Sequence, residues 1–78
     1  MNAKMQSVCD IVKRKAVIQK EVSLTTDLFR ELGYDSFQFI ELVVELESCF
    51  GIEIPEYKLL PENFTTAQNI VDLLEELN

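Results

Sequence analysis

Residues 32–50 read LGYDSFQFIELVVELESCF, and this stretch decides the fold. Phe39, Leu42, Val43, Leu46 and Phe50 recur at i, i+3, i+4, i+7 and i+11, the spacing of a single helical face. Asp35 stands ahead of the run as an N-cap, and Gln38 three residues later can complete a capping box. Gly51 follows the last apolar residue, at the position where a left-handed residue ends helices. Ser36 therefore falls in the first turn with its hydroxyl unburied. Backbone N–H groups and the helix dipole favour a phosphate there.

Working outward, Met5, Val8, Cys9, Val12 and Ala16 form a second helical stripe, which predicts a helix over about residues 3–16. The basic residues near its end suit the negative pole of the helix. A nineteen-residue connection, 17–35, separates the two helices. Structureless loops of that length are uncommon in compact domains. Val22, Leu24, Leu28, Phe29 and Leu32 are the expected anchors, with one or two helical turns over Asp27–Leu32 capped by Thr25 or Thr26 and stopped by Gly33. Ile52–Pro55 is expected to be extended, since a residue before proline avoids the helical region. Glu56–Leu60 is expected as a short helix before Pro61. Thr65 or Thr66 should cap a last helix along Ala67, Ile70, Val71, Leu74 and Leu77. The fold class is all-α: a four-helix bundle of three longer helices and one short one, forming a single domain over 1–78.

Composition narrows the function. Of the 78 residues 47% are hydrophobic and 27% charged, enough for a core and a soluble surface. No apolar run can span a bilayer, and the N-terminus lacks the layout of a signal peptide, so a cytoplasmic location is expected. Residues 1–20 carry five cations against one acid, a local charge of +4, and residues 21–78 carry −11. The net charge of −7 argues against nucleic acid and anionic membranes, whose phosphates call for clustered Lys/Arg; basic protein surfaces are the fitting partners. With no histidine and no ligand spacing, a metal site is not expected. Cys9 and Cys49 both fall on apolar stripes and are expected as two buried thiols.

Ser36 has no histidine to act as its base, no GxSxG elbow, and Phe39 where an S-x-x-K motif needs lysine. Taken alone, Asp35-Ser36 is explained by capping. A second feature is the set of apolar residues left over on the central helix. Phe37, Ile40 and Val44 lie on a different face from the core stripe, interleaved with Glu41, Glu45 and Glu47. An apolar strip among acids suits a partner surface, because the glutamates would be costly to bury.

The ordered set Asp27-Leu28-Phe29-Arg30-Glu31-Leu32-Gly33-Tyr34-Asp35-Ser36-Phe37, then Glu41-Leu42, Leu46-Glu47, Phe50 and Ile54-Pro55, resembles the acyl carrier protein family over nearly the whole chain. The resemblance implies a stand-alone, monomeric carrier, with Ser36 as the attachment point of 4′-phosphopantetheine and Asp35 as the adjacent acid of the motif. In such carriers a phosphopantetheinyl transferase moves the group from coenzyme A in a magnesium-dependent step, so the carrier needs no base of its own. The arm's thiol holds acyl or aminoacyl groups as thioesters for fatty acid, polyketide or peptide-type biosynthesis. By the same resemblance, Phe37, Ile40, Glu41, Val44 and Glu47 form the docking face. Their partners would be the transferase, an acyl- or aminoacyl-loading enzyme, and downstream synthase or transferase enzymes. Phe37 follows the serine where fatty-acid carriers usually have leucine, and so is similar to D-alanyl carriers and to some stand-alone carriers of secondary metabolism. Gln38 replaces a common acid. Phe39 stands where a smaller threonine is frequent, and is expected to fill space in the core. The other reading of the same residues is an acidic helical interaction module that is never modified.

Overall fold

The computed structural model describes residues 2–77, so Met1 and Asn78, the ends of the expected 1–78 domain, lie outside the described residues. Four α-helices follow in order: α1 (Ala3–Lys15), α2 (Leu28–Glu31), α3 (Ser36–Phe50) and α4 (Ala67–Glu76). Two 3₁₀ turns, Glu56–Lys58 and Pro61–Phe64, lie between α3 and α4, and there is no strand among the described residues. The architecture is the all-α bundle read from the periodicity.

Helix α1 packs against both α3 and α4. Its buried arc is therefore wider than one stripe, and Ile11 is buried beside Val8, Cys9 and Val12 although it lies off the 5-8-9-12-16 pattern. The fully buried centre joins Val8 and Val12 to Leu28, Leu32, Leu42, Leu46, Phe64 and Ile70. Phe39 is half-buried and stands edge-on to Phe64, with ring centroids 5.0 Å apart. That is a favoured aromatic arrangement.

Local chemistry departs from expectation at three places. Helix α2 is capped by Asp27, whose Oδ1 accepts from Phe29 N (3.0 Å) and Arg30 N (2.9 Å), and not by Thr25 or Thr26. Thr26 is buried and its hydroxyl oxygen accepts from Ser23 N instead. Glu56–Leu60 is not one helix: Leu60 is extended (φ −110°, ψ 137°) and a second turn starts at Pro61. Proline excludes its predecessor from the helical region and brings no donor, which splits the segment in two. Cys9 is buried but Cys49 is exposed, because it lies on the margin of the α3 stripe in the last turn.

The long connection is tied to the carbonyl end of α1. Ala16 N bonds to Lys13 O, which leaves Val12 O without its i+4 donor. Tyr34, buried, supplies one: its hydroxyl donates to Val12 O at 2.8 Å. Gln19 Nε2 donates to Lys13 O (3.2 Å) and Ala16 O (2.9 Å). These bonds satisfy end carbonyls that a helix cannot satisfy by itself.

Burial, and after it the Glu41 carboxylate, push the Tyr34 hydroxyl well above its ordinary pKa. The fold thus favours the neutral phenol. This contribution is whole below the unfolded-state pKa of about 10 and erodes as pH rises from there toward the higher folded value. Tyr34→Phe is expected to cost about 1–3 kcal/mol in denaturant unfolding at neutral pH, by stranding Val12 O. It should also flatten the alkaline loss of stability. Equal slopes in both proteins above about pH 10 would remove Tyr34 as its source.

Candidate functional site

Helix α3 begins at Ser36, which is exposed, and the turn around it is organised by its neighbours. Asp35 Oδ1 accepts from Phe37 N at 2.9 Å and from Gln38 N at 3.4 Å. Gln38 Oε1 returns the interaction by accepting from Asp35 N at 3.2 Å. The capping box thereby holds the first turn closed while the serine side chain stays open to solvent. Asp35 serves as the cap through Oδ1.

The residues ahead of the cap are anchored inside the bundle. Leu32 N and Tyr34 N both donate to Leu28 O, at 3.2 and 3.1 Å, and Leu28 N donates to Thr65 O at 2.8 Å. Gly33 has a left-handed backbone (φ +74°), and a Cβ there would stand 3.1 Å from Val17 Cβ. Glycine is needed at this position for conformation and for space. Glu31 closes the same loop from outside. Its carboxylate accepts from Asp27 N at 2.9 Å and pairs with Lys20 at 3.0 Å. The Asp27 N–H first, and Lys20 after it, hold that carboxyl below the usual carboxylate range.

Along α3, Leu42 and Leu46 face the core while Phe37, Ile40 and Val44 are 60–63% exposed. The structure thus sets those three apolar side chains together on the solvent side. Glu41 and Glu47 are half-buried beside them. Glu47 is also engaged locally, since its carboxylate accepts from Ile54 N at 2.9 Å and holds the segment after Gly51. Glu45 turns the other way, toward Arg14 (3.9 Å) and Lys15 (4.0 Å) of α1. A hollow of about 430 Å³ is lined by Asp10, Lys13, Arg14 and Gln19, and a crevice of about 90 Å³ by Lys4, Phe50, Ile52 and Leu74. Neither includes Ser36.

Sequence reasoning missed Tyr34, which positions the turn from inside. Its one signal was a phenol with an apolar body, a side chain that seeks a polar partner when buried. Val17 and Ile18 were also missed, because nothing in the connection's spacing marks two exposed residues.

With this geometry in view, the family described as a phosphopantetheine attachment site matches residues 6–74. The chain is 40% identical over 72 residues to the acyl carrier protein of Amoebophilus asiaticus, covering 91% of this chain and 88% of that one. The chain belongs to the acyl carrier protein family. It is also 39% identical over 74 residues to acyl carrier protein 1, chloroplastic, of Spinacia oleracea, and spans 52% of that relative's length. The chain thus covers about half the length of the chloroplast relatives it matches.

Among solved structures, a chain in the complex of Bradyrhizobium japonicum glycine:[carrier protein] ligase with its cognate carrier protein and a glycyl adenylate analogue aligns with TM-score 0.86 at 17% identity, over 96% of this chain and 99% of that one. A putative acyl carrier protein from Mycobacterium tuberculosis aligns with TM-score 0.79 at 22% identity, over 95% and 97%. At such identities the likeness is one of fold. The group that goes with this family is covalently attached 4′-phosphopantetheine. Proteins of this family are carriers and not catalysts.

The carrier's capping turn gives a direct expectation. Asp35→Ala should cost about 1 kcal/mol and speed hydrogen exchange at the Phe37 and Gln38 amides. Gly33→Ala should cost more than about 1 kcal/mol, having both the left-handed penalty and the close contact with Val17. A Gly33→Ala midpoint equal to wild type in urea would show that the loop relaxes freely.

Proposed function

We propose that Ser36 Oγ carries the 4′-phosphopantetheine arm, and that this domain delivers acyl or aminoacyl thioesters to partner enzymes. The observation that carries the reading is an exposed primary alcohol in the first turn of a 15-residue helix, inside the segment matched by the family. During loading the serine oxygen bonds to phosphorus of coenzyme A, the nucleotide portion leaves, and the hydroxyl proton goes to the transferase or solvent. The anionic phosphodiester then sits at the positive end of α3. Among the described residues no side-chain hydrogen bond engages Ser36 Oγ, and the chain has no histidine, which fits modification by another enzyme. The arm supplies the thiol, and Asp35, Gly33 and Tyr34 hold its base in place.

Phe37, Ile40 and Val44, with Glu41 and Glu47 beside them, are the docking face in this reading. It suits partners with an apolar patch rimmed by cations. A loading ligase is one such partner class, supported by the ligase–carrier complex among the structural neighbours. Phe39 against Phe64 fills the space between α3 and the 3₁₀ turn. The cargo therefore stays outside the core.

Apo-protein incubated with coenzyme A, magnesium and a broad-specificity transferase should gain one phosphopantetheine by intact mass, and Ser36→Ala should gain none. An Ile40→Ser/Val44→Ser double variant should load about tenfold more slowly in kcat/KM, since truncating two central contacts removes roughly 1–2 kcal/mol of docking. Equal mass gain on wild type and Ser36→Ala would defeat the assignment. For the cargo, octanoyl and aminoacyl forms should show the same methyl shifts at Leu42 and Leu46. Chain-length-dependent shifts there would mean that the alkyl chain enters between the helices.

A further inference from the structure

Val17 and Ile18 are 61% and 49% exposed, adjacent in sequence, and belong to neither the core nor the α3 strip. Single exposed apolar residues are ordinary on protein surfaces. This pair differs in how firmly it is held. Val17 N and Ile18 N both donate to Leu32 O, each at 3.0 Å, so one carbonyl accepts from both residues. The next residue, Gln19, is fixed by its two bonds to the end of α1.

The pair lies directly against Gly33, where an added Cβ would meet Val17 Cβ at 3.1 Å and Ile18 Cγ1 at 3.4 Å. Gly33 precedes Ser36 by three residues, so their Cα atoms are within about 11 Å at an extended-chain rise of 3.3–3.6 Å per residue. Two β-branched side chains, stiff at χ1, thus form a fixed apolar shelf beside the turn that presents Ser36.

We propose that this shelf is a resting site for the proximal part of the phosphopantetheine arm. The inference rests on Ser36 bearing the arm. The arm's pantoyl unit follows its phosphate directly and carries two methyl groups on one quaternary carbon. It is the most apolar part of the arm and the part nearest the attachment point. Packing it on Val17 and Ile18 removes apolar surface from water on both sides. It also leaves Phe37, Ile40 and Val44 uncovered, because the shelf belongs to the connection and not to α3.

The test compares holo wild type, holo Val17→Ser/Ile18→Ser and holo Ile18→Val by methyl NMR, with loading confirmed by intact mass and folding by Tm. The expected result in wild type is pantoyl methyl resonances displaced from those of free 4′-phosphopantetheine, with NOEs to Val17 and Ile18 methyls. The double serine variant should return both resonances to their positions in free 4′-phosphopantetheine at a nearly unchanged Tm. Ile18→Val should keep the NOEs. Should the double variant lose its fold, the wild-type NOEs decide alone. Wild-type resonances at the free 4′-phosphopantetheine position, or NOEs to Phe37 or Ile40 instead, would overturn the shelf while leaving Ser36 as the attachment point. Loading that persists in Ser36→Ala would overturn the attachment reading and the shelf together.

Discussion

The hydrogen bond from the buried Tyr34 hydroxyl to Val12 O is the constraint on which the site depends. A helix end leaves its last carbonyls without donors, and a buried one must be satisfied from elsewhere. Here the donor comes from 22 residues away. The tie that completes α1 thus also fixes the residues just ahead of α3. With Tyr34 held inside and Leu32 and Tyr34 both bonded to Leu28 O, the chain has little freedom left at Gly33 and Asp35. The orientation of the first turn of α3 follows from that. A net hydrogen bond adds only about 1 kcal/mol, but an orphaned buried acceptor costs more. In a domain of this size, with roughly 3–5 kcal/mol of net stability from one core, such a tie matters.

Electrostatics shape the surface more than they hold the fold. The ion pairs Lys4–Glu75, Arg14–Glu45, Lys15–Glu45, Lys20–Glu31 and Lys58–Glu76 are all at least partly exposed. Pairs of that kind contribute about 0–1 kcal/mol each. Their collective effect is to sort charge. Arg14 and Lys15 draw Glu45 toward α1, while Glu41 and Glu47 remain beside the exposed strip of α3.

The helices and the central core were legible in the sequence, because a 3.6-residue period survives into packing wherever a helix has one buried face. Where that condition failed, so did the reading. Helix α1 touches two helices, which buries Ile11, and Cys49 lies at the margin of the α3 stripe, where it is exposed. Thr26 and Asp27 are both N-cap residue types, with Asp the stronger. The choice fell to Asp27 because the Thr26 hydroxyl is taken by Ser23 N. Ser36 was legible only through the ordered set of residues around it, since capping alone accounts for an Asp-Ser pair. Tyr34 and the Val17–Ile18 pair act through partners far along the chain, and no local pattern encodes such contacts.

A tether and a nucleophile make opposite demands on a serine. A nucleophile with its own machinery needs a base within hydrogen-bond reach and a site closed to water. Ser36 has an open side and a rigid base, which suits a group that must be reached by one enzyme after another. In the proposed reading rigidity matters because it sets where the arm begins. A cargo on a flexible arm is presented to a docked partner at an effective concentration fixed by arm length and by the position of its anchor. Movement of the anchor would spread the cargo over a larger volume and lower that concentration. The buried tie at Tyr34, the glycine at 33 and the capping box at 35–38 all restrict such movement, and with the arm on Ser36 as proposed, the freedom that delivery needs is left to the arm beyond the serine oxygen.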